Sequence, residues 1–328
     1  MIPGFDPKFE DMTAYILDIT SEIWEDRGIG PAIRRYYTED SIVRHAMGIT
    51  DGAEAVVSAV LQTLHEFPDR QLFGEDVIWR ENGDHGYFAS HRVMATAHHT
   101  GSGKFGQATG VPMRYRCIAD TAIIDNKIYE EWLVRDNGAI SKALGLSNQQ
   151  MAEKLLREGD DGVFLPETDK FGTFKNIVDT DGPAARYAGV LNEIWNASTT
   201  GPIRDLYVRG ATVELPSAEL ATGPQELDKF FISWMASFPK AKFQIENLVT
   251  QKDEGLPTRV SSRWTLRGIH EGYGAFGKPT GREIFVWGFS HAHMLKDKVI
   301  AEWITIDEVA VWKQILKGTI ALEGQAPT

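Results

Sequence analysis

His99, Thr100, Gly101, Ser102, Gly103, Lys104, Phe105, Gly106, Gln107, Ala108, Thr109, Gly110 and His270, Glu271, Gly272, Tyr273, Gly274, Ala275, Phe276, Gly277, Lys278, Pro279, Thr280, Gly281 are one stretch written twice. The two stand 171 positions apart, and the same offset carries outward without a gap. Upstream, Glu22, Ile23 and Trp24 meet Glu193, Ile194 and Trp195, Gly30 and Pro31 meet Gly201 and Pro202, and Phe67 and Pro68 meet Phe238 and Pro239. Downstream, Lys127, Glu131, Trp132 and Asp136 meet Lys298, Glu302, Trp303 and Asp307. Of the 115 positions paired between 22–136 and 193–307, 23 are identical. So long a period, far beyond the roughly 20–50 residues of solenoids, means that each copy is a whole domain.

The length of 328 residues agrees with two domains, each long enough to bury its own core. We place them at 1–157 and 182–328, joined by an Asp- and Gly-rich connection over 158–181. A net charge of −12 argues against nucleic acid and against an anionic membrane surface. The single cysteine, Cys117, cannot form an intrachain disulfide, which fits a reducing compartment. The first residues hold no basic segment followed by an apolar one, and no apolar run has membrane-spanning length. The expectation is a cytoplasmic protein.

Local patterns repeat with the offset. Phe9, Met12, Ile16, Ile19, Ile23 and Trp24 form a helical stripe, followed by a short helix over 32–37, a strand over 41–46 and a helix over 52–66. Pro68 stops that helix. Strands then read near Leu72–Ile78, Tyr87–His99, Met113–Ile124 and Ile128–Val134, with Asp125 and Asn126 as a tight turn, and one closing helix over 139–156. The second half reads as helices over 183–197, 203–208 and 224–237, then strands over 243–251, 259–270, 283–295 and 298–306. Helices followed by a mostly antiparallel sheet make an α+β domain. If the sheet is strongly curved over about three helices, each copy is a cone whose mouth suits a small molecule.

Thr265-Leu-Arg-Gly-Ile-His270-Glu-Gly272, Pro279-Thr-Gly-Arg282 and Asp297-Lys-Val-Ile-Ala-Glu302-Trp303 with Asp307 resemble the SnoaL-like polyketide cyclase family. Its members typically read T-H-x-G, P-T-G-R, then D-G-K-I-x-E-x-W and a following Asp. His98 to Gly101, Ala108 to Gly110, Lys127, Ile128, Glu131 and Trp132 repeat the pattern more weakly, and Phe67, Pro68 and Asp69 match its F-P-D element. The resemblance implies the nuclear-transport-factor-2-like cone, cofactor-free acid/base chemistry of the aldol type, and no metal. Its usual acid, an Asp eight residues before the turn Lys, falls on Ala119 and Ser290, neither of which can serve.

Candidate residues follow from that gap. Asp120 lies one residue past the missing acid and reaches the interior only if a bulge shifts the register. His45 follows a short strand at about the place where ketosteroid isomerase carries its base, and Pro216 stands there in the second half. His99 and His270, present in both copies, read either as acid/base groups or as hydrogen-bonded structural histidines. The catalytic set is thus His45, His99 and Asp120, with Trp24, Trp132, His270, Ser290 and Trp303 as lining. Glu131 and Glu302 read as surface or interface pairs, and Asp136 and Asp307 as helix caps. His291 and His293 share a strand face without a third ligand, so no metal is expected. No phosphate loop opens a helix, so no nucleotide cofactor is expected either.

Two readings remain open. One is a cofactor-independent cyclase, isomerase or dehydratase for a small, largely apolar carbonyl compound. The other is a noncatalytic small-molecule-binding or interaction protein. The partner is a small molecule in either case, with the two domains pairing as an intrachain pseudo-dimer and a further homodimer possible in principle.

Overall fold

The computed structural model describes residues 2–319. The chain packs as two compact units. Among the described residues the first comprises 2–135, 139–145 and 164–175; the second comprises 136–138, 146–163 and 176–319.

In the first unit, helix α1 (Met12–Thr20) is capped by Asp11, whose Oδ1 accepts from Ala14 N at 2.8 Å. It buries Met12, Tyr15, Ile16 and Ile19, the three- and four-residue spacing of one apolar stripe. A π-type turn, Ser21–Glu25, prolongs it and carries Trp24. Helix α2 (Ile29–Tyr36) follows, then strands β1 (Tyr37–His45) and β2 (Gly48–Asp51), and helix α3 (Ala53–Glu66). Four long strands complete the sheet: β3 (Gln71–Glu81), β4 (Tyr87–His98), β5 (Pro112–Ile124) and β6 (Lys127–Arg135). Their order is β2-β1-β6-β5-β4-β3, with only β1 and β6 parallel. Strand β2 is absent from the sequence reading, because four residues between turns carry too little pattern to register.

Helices α4 (Asn137–Ala143) and α5 (Asn148–Arg157) replace the single closing helix expected over 139–156. Gly145 takes a left-handed conformation, φ 76°, and Ser147 starts α5 with a capping box to Gln150, so the backbone breaks between them.

The second unit repeats the design. Helices α6 (Gly182–Ala197), α7 (Ile203–Leu206) and α8 (Gly223–Ser237) accompany β7 (Tyr207–Leu215) and β8 (Glu219–Thr222). Strands β9 (Lys242–Gln251), β10 (Thr258–Ile269), β11 (Glu283–Leu295) and β12 (Lys298–Ile306) follow, then helix α9 (Glu308–Leu316), which packs on α5. The order β8-β7-β12-β11-β10-β9, with β7 parallel to β12, matches the first sheet strand for strand. Two tandem α+β domains of one topology are therefore present.

The offset of 171 is not uniform. Arg44 on β1 lies opposite Trp132, and Glu214 on β7 lies opposite Trp303, so these two strands correspond at 170. The additional residue is absorbed in the turn Pro216–Ala218, where Ser217 and Ala218 have φ of 63° and 52°. The counterpart of His45 is consequently Leu215 rather than Pro216.

Each sheet has a helix-facing side. In the first unit Val43, Val77, Tyr87, Ala89, Ile123 and Ile128 join the core formed with α1, α2 and α3, which assigns to that side the odd-numbered positions of β4 and β5 and, beyond the bulge that follows Ile128, of β6. The opposite side is buried too. There residues 164–175 cross the sheet: Phe174 packs 5.5 Å from the Trp132 ring and 6.1 Å from Phe88, and Thr173 N and Phe174 N donate to Glu130 Oε1 at 2.6 and 2.7 Å. Arg44 ties the crossing down with bonds to Glu130 Oε2 (2.8 Å) and Asp169 Oδ1 (2.7 Å). A Cβ at Gly172 would stand 2.0 Å from the Glu130 carboxylate, so only glycine fits.

Candidate functional site

Register and burial together locate an open patch on the helix-facing side of the first unit. Cys117 pairs with Arg135 and Ala119 with Leu133, and all four stay partly exposed in the middle of the sheet. His91 and Val93 flank them on β4, opposite Ala119 and Cys117, and His45 flanks them on β1, opposite Leu133. The corresponding positions of the second unit, Gly288, Ser290, Ile304 and Ile306, are all buried.

The fillings explain the difference. Where the first unit has Val93, the second has Trp264, which joins Trp195, Phe243 and Phe231 in a continuous aromatic core. Trp264 Nε1 donates to Ser290 Oγ at 3.2 Å, so Ser290 is a core hydrogen-bond acceptor. The second cone is occupied by its own side chains; the first is not.

Beside the open patch lies a buried carboxyl. Glu131, two residues before Leu133 on β6, accepts from Tyr37 Oη at 2.7 Å. Desolvation pushes its pKa up to about 7, against the stabilising effect of the phenol bond on the carboxylate. Glu302 is its counterpart, fully buried, accepting from Tyr187 and from Tyr207 (2.6 Å), and burial likewise pushes it up to about 7. The reading of both glutamates as surface pairs is thus corrected. They face the helices, whereas their tryptophan neighbours face the opposite side.

The other expected residues are placed as follows. His45 sits at the end of β1 with its Nε2 3.4 Å from Thr50 Oγ1. Trp24 lies under the guanidinium of Arg70, 3.9 Å from its ring centroid. Asp120 does not reach the interior. It stands opposite Ser90 and Trp132 in an unbulged stretch of β5, so alternation turns it to the outer side. Trp132 shares that side, packed by Arg44 (5.0 Å) and Phe174. Trp303 is on the matching face of the second sheet, against His293 (4.8 Å) and donating to Glu214 Oε1 (3.1 Å).

His99 and His270 hold the glycine-rich turns. His99 is fully buried, with Nδ1 3.1 Å from Thr109 Oγ1 and Nε2 3.5 Å from Glu66 Oε1, while its carbonyl accepts from Thr109 N and Gly110 N. His270 repeats this with Thr280 (3.2 Å) and Gly281, while Ser237, at the position of Glu66, accepts from Phe276 N at 3.1 Å. Both rings belong to these knots and not to the open patch. Asp307 caps α9 through Ala310 N (3.1 Å), while Asp136 accepts from Ser217 N (2.9 Å) and Ala218 N (3.1 Å).

Three groups on the open face escaped the sequence reading. His91 is buried with Nε2 unpartnered, and desolvation holds its imidazole down at about 4. Arg70 is buried in the turn after α3, and Tyr115 lies on β5 facing Phe67 at 6.4 Å. A paired reading of Ala119 with its strand neighbours points to His91; nothing local marks Arg70. A separate shallow groove of about 370 Å³ runs past the strand ends along Asp69, His98 and Arg114, with His98 Nδ1 2.6 Å from Asp69 Oδ2, and does not include the open patch. Among the described residues, no three His, Cys, Asp or Glu side chains are grouped to hold a metal, and no helix is long and apolar enough to cross a membrane.

Residues 185–315 match the family model described as SnoaL-like polyketide cyclase. No curated protein matches the chain in sequence. Among solved structures, a candidate SnoaL-like polyketide cyclase of Jannaschia sp. CCS1 is 16% identical, covering 43% of this chain and 98% of its own at a TM-score of 0.36. IdmH of Streptomyces antibioticus, a candidate polyketide cyclase, is 19% identical over 41% of this chain and 99% of its own, TM-score 0.36. A SnoaL-like polyketide cyclase of Agrobacterium tumefaciens is 15% identical over 41% and 98%, TM-score 0.33. The match to the SnoaL-like polyketide cyclase family thus lies in the second half of the chain, over residues 185–315, and the first half is a tandem copy with the same strand order.

Proposed function

We propose that the first unit is a cofactor-independent acid/base catalyst of the cyclase, isomerase or dehydratase type, acting on a small, largely apolar carbonyl compound. The observation that carries the reading is a buried carboxyl of pKa about 7, Glu131, set beside the open patch on the helix-facing side of the first sheet. A base poised near neutral pH is half ionised and still basic enough to accept a proton from carbon. In this scheme Glu131 takes the proton next to the substrate carbonyl, and the electron pair moves onto the carbonyl oxygen. An N–H of His45, one diagonal step away across β1, donates to the enolate oxygen. Tyr37 steadies the carboxylate form. The second unit serves as a filled structural copy.

Ala119, standing where the family places its acid, favours the noncatalytic reading. The test is hydrogen–deuterium exchange at the α-carbon of β-tetralone in D₂O, followed by proton NMR. Catalysis by wild type, reduced at least 100-fold in Glu131→Gln, supports the proposal. Exchange at the buffer rate with wild type, or undiminished exchange in Glu131→Gln, removes it.

A further inference from the structure

We propose that the helix-facing side of the first unit binds its apolar ligand through a carboxylate group, with Arg70 as the pairing residue and Arg135 and Tyr115 beside it. The proposal rests on the reading that a ligand enters at the open patch, and it requires no turnover there.

Arg70 is only 4% exposed, and its Nε has no hydrogen-bond partner. The groups acting on it are Tyr115, through its charge and a side-chain hydrogen bond, Arg135 and Cys117; no acidic side chain is among them. Its flat face lies on Trp24 at 3.9 Å, and Arg135 lies 5.8 Å from the Tyr115 ring. A buried guanidinium is ordinarily matched by a carboxylate, because desolvating an unmatched charge is costly. Here the charge that acts on it is a second cation, Arg135. The surface between them, Cys117 with Arg135 and Ala119 with Leu133, is the part of the sheet left open.

The tandem copy supplies a control. Arg70 corresponds to Ala241, Tyr115 to Val286, Cys117 to Gly288 and Arg135 to Ile306, and there the interior is closed by Trp264. Fold geometry does not need the guanidinium. Arg70 N donates to Phe67 O at 3.1 Å, and Ala241 N donates to Phe238 O at 3.0 Å in the same turn. Both cations and the open space vanish together, as expected if they serve one occupant. A planar fork in an aromatic and aliphatic setting suits a carboxylate on an apolar body, which a guanidinium holds with two parallel bonds. The site also opposes the net charge of −12 carried by the chain, so its positive sign is local.

The experiment compares 1-naphthoate with 1-naphthamide by calorimetry on the full chain. Wild type should bind the carboxylate at least tenfold more tightly than the amide, and Arg70→Met should erase that preference. Thermal unfolding of Arg70→Met without ligand should occur no lower than in wild type, since the unmatched charge is gone. The single thiol, Cys117, locates the complex: saturating naphthoate should slow its alkylation by iodoacetamide at least fivefold. Equal affinities in wild type, no binding by either compound, unaltered discrimination in Arg70→Met, or unprotected Cys117 would each overturn the proposal. Carboxylate-selective binding without β-tetralone exchange would retain this inference and remove catalysis. Exchange without charge selectivity would do the reverse.

Discussion

The indole of Trp264 lies against Gly288 so closely that a Cβ there would stand 2.0 Å from its ring. In the first unit the same pair of positions holds Val93 and Cys117, opposite each other across β4 and β5. One exchange, a small apolar residue for an indole, thus decides whether a cone is filled or open. The missing side chain at 288 is the condition for that exchange, since the ring occupies the space a methyl would need.

Gly288→Ala should therefore lower the stability of the second unit by about 1–3 kcal/mol through overpacking. Denaturant unfolding followed by tryptophan fluorescence measures this, and ligand binding by the first unit should be unaltered. A change below about 0.5 kcal/mol would mean that Trp264 relocates freely.

Burial of Glu302 ties stability to pH. Its folded pKa, about 7, lies above the unfolded carboxyl value, so the native state binds more protons between the two. The stabilising protonated form is fully present below the unfolded pKa, and the contribution is lost as pH rises through about 7. A shift of this size corresponds to about 3 kcal/mol at most. Glu302→Gln stays neutral and should flatten the decline in melting temperature between pH 5 and 8, gaining on wild type at pH 8. Parallel profiles for the two proteins would refute the assignment.

If Glu131 is the base, β-tetralone exchange should rise with pH and level off above about 7, as the carboxyl ionises. His45→Ala should reduce the plateau by about 10²–10⁴-fold. His270→Ala should leave it unaltered, because that ring is tied to Thr280 in the other unit. The opposite ranking of the two histidines would reject the first unit as the seat of chemistry.

His99→Ala should act on stability instead of turnover. It removes the bond to Thr109 and the contact with Glu66 in a buried knot, leaving polar groups unmatched at a cost of about 1–3 kcal/mol. Thr109→Val should reproduce part of the loss, and differential scanning calorimetry reads both.

Strand order was legible because the duplication let each half check the other, down to the turn His99–Gly110. Side-chain direction was not. Alternation identifies a core face only when the other face is wet, and β4 is buried on both sides, with Phe88, Ser90 and Arg92 as hidden as Ala89, His91 and Val93. Hence the sequence points to Trp132 as lining and Glu131 as surface, the reverse of their positions, and leaves the side of Asp120 open, because only its strand partners Ser90 and Trp132 fix it. Arg70 lies in a turn, where no period exists to betray burial. The false match of His45 with Pro216 arose from one residue absorbed in a left-handed turn, a displacement that identities on either side concealed.

Because Cys117, Ala119 and Leu133 keep part of their surface in contact with solvent, the occupant proposed above would enter the folding equilibrium of the first unit and not that of the second. A ligand at one hundred times its dissociation constant would add about 2.7 kcal/mol to the first unit alone. Duplication has thereby separated two behaviours in one polypeptide. The half closed by Trp264 has a persistence set by its own side chains, while the half that holds Arg70 would gain persistence from the ligand proposed above.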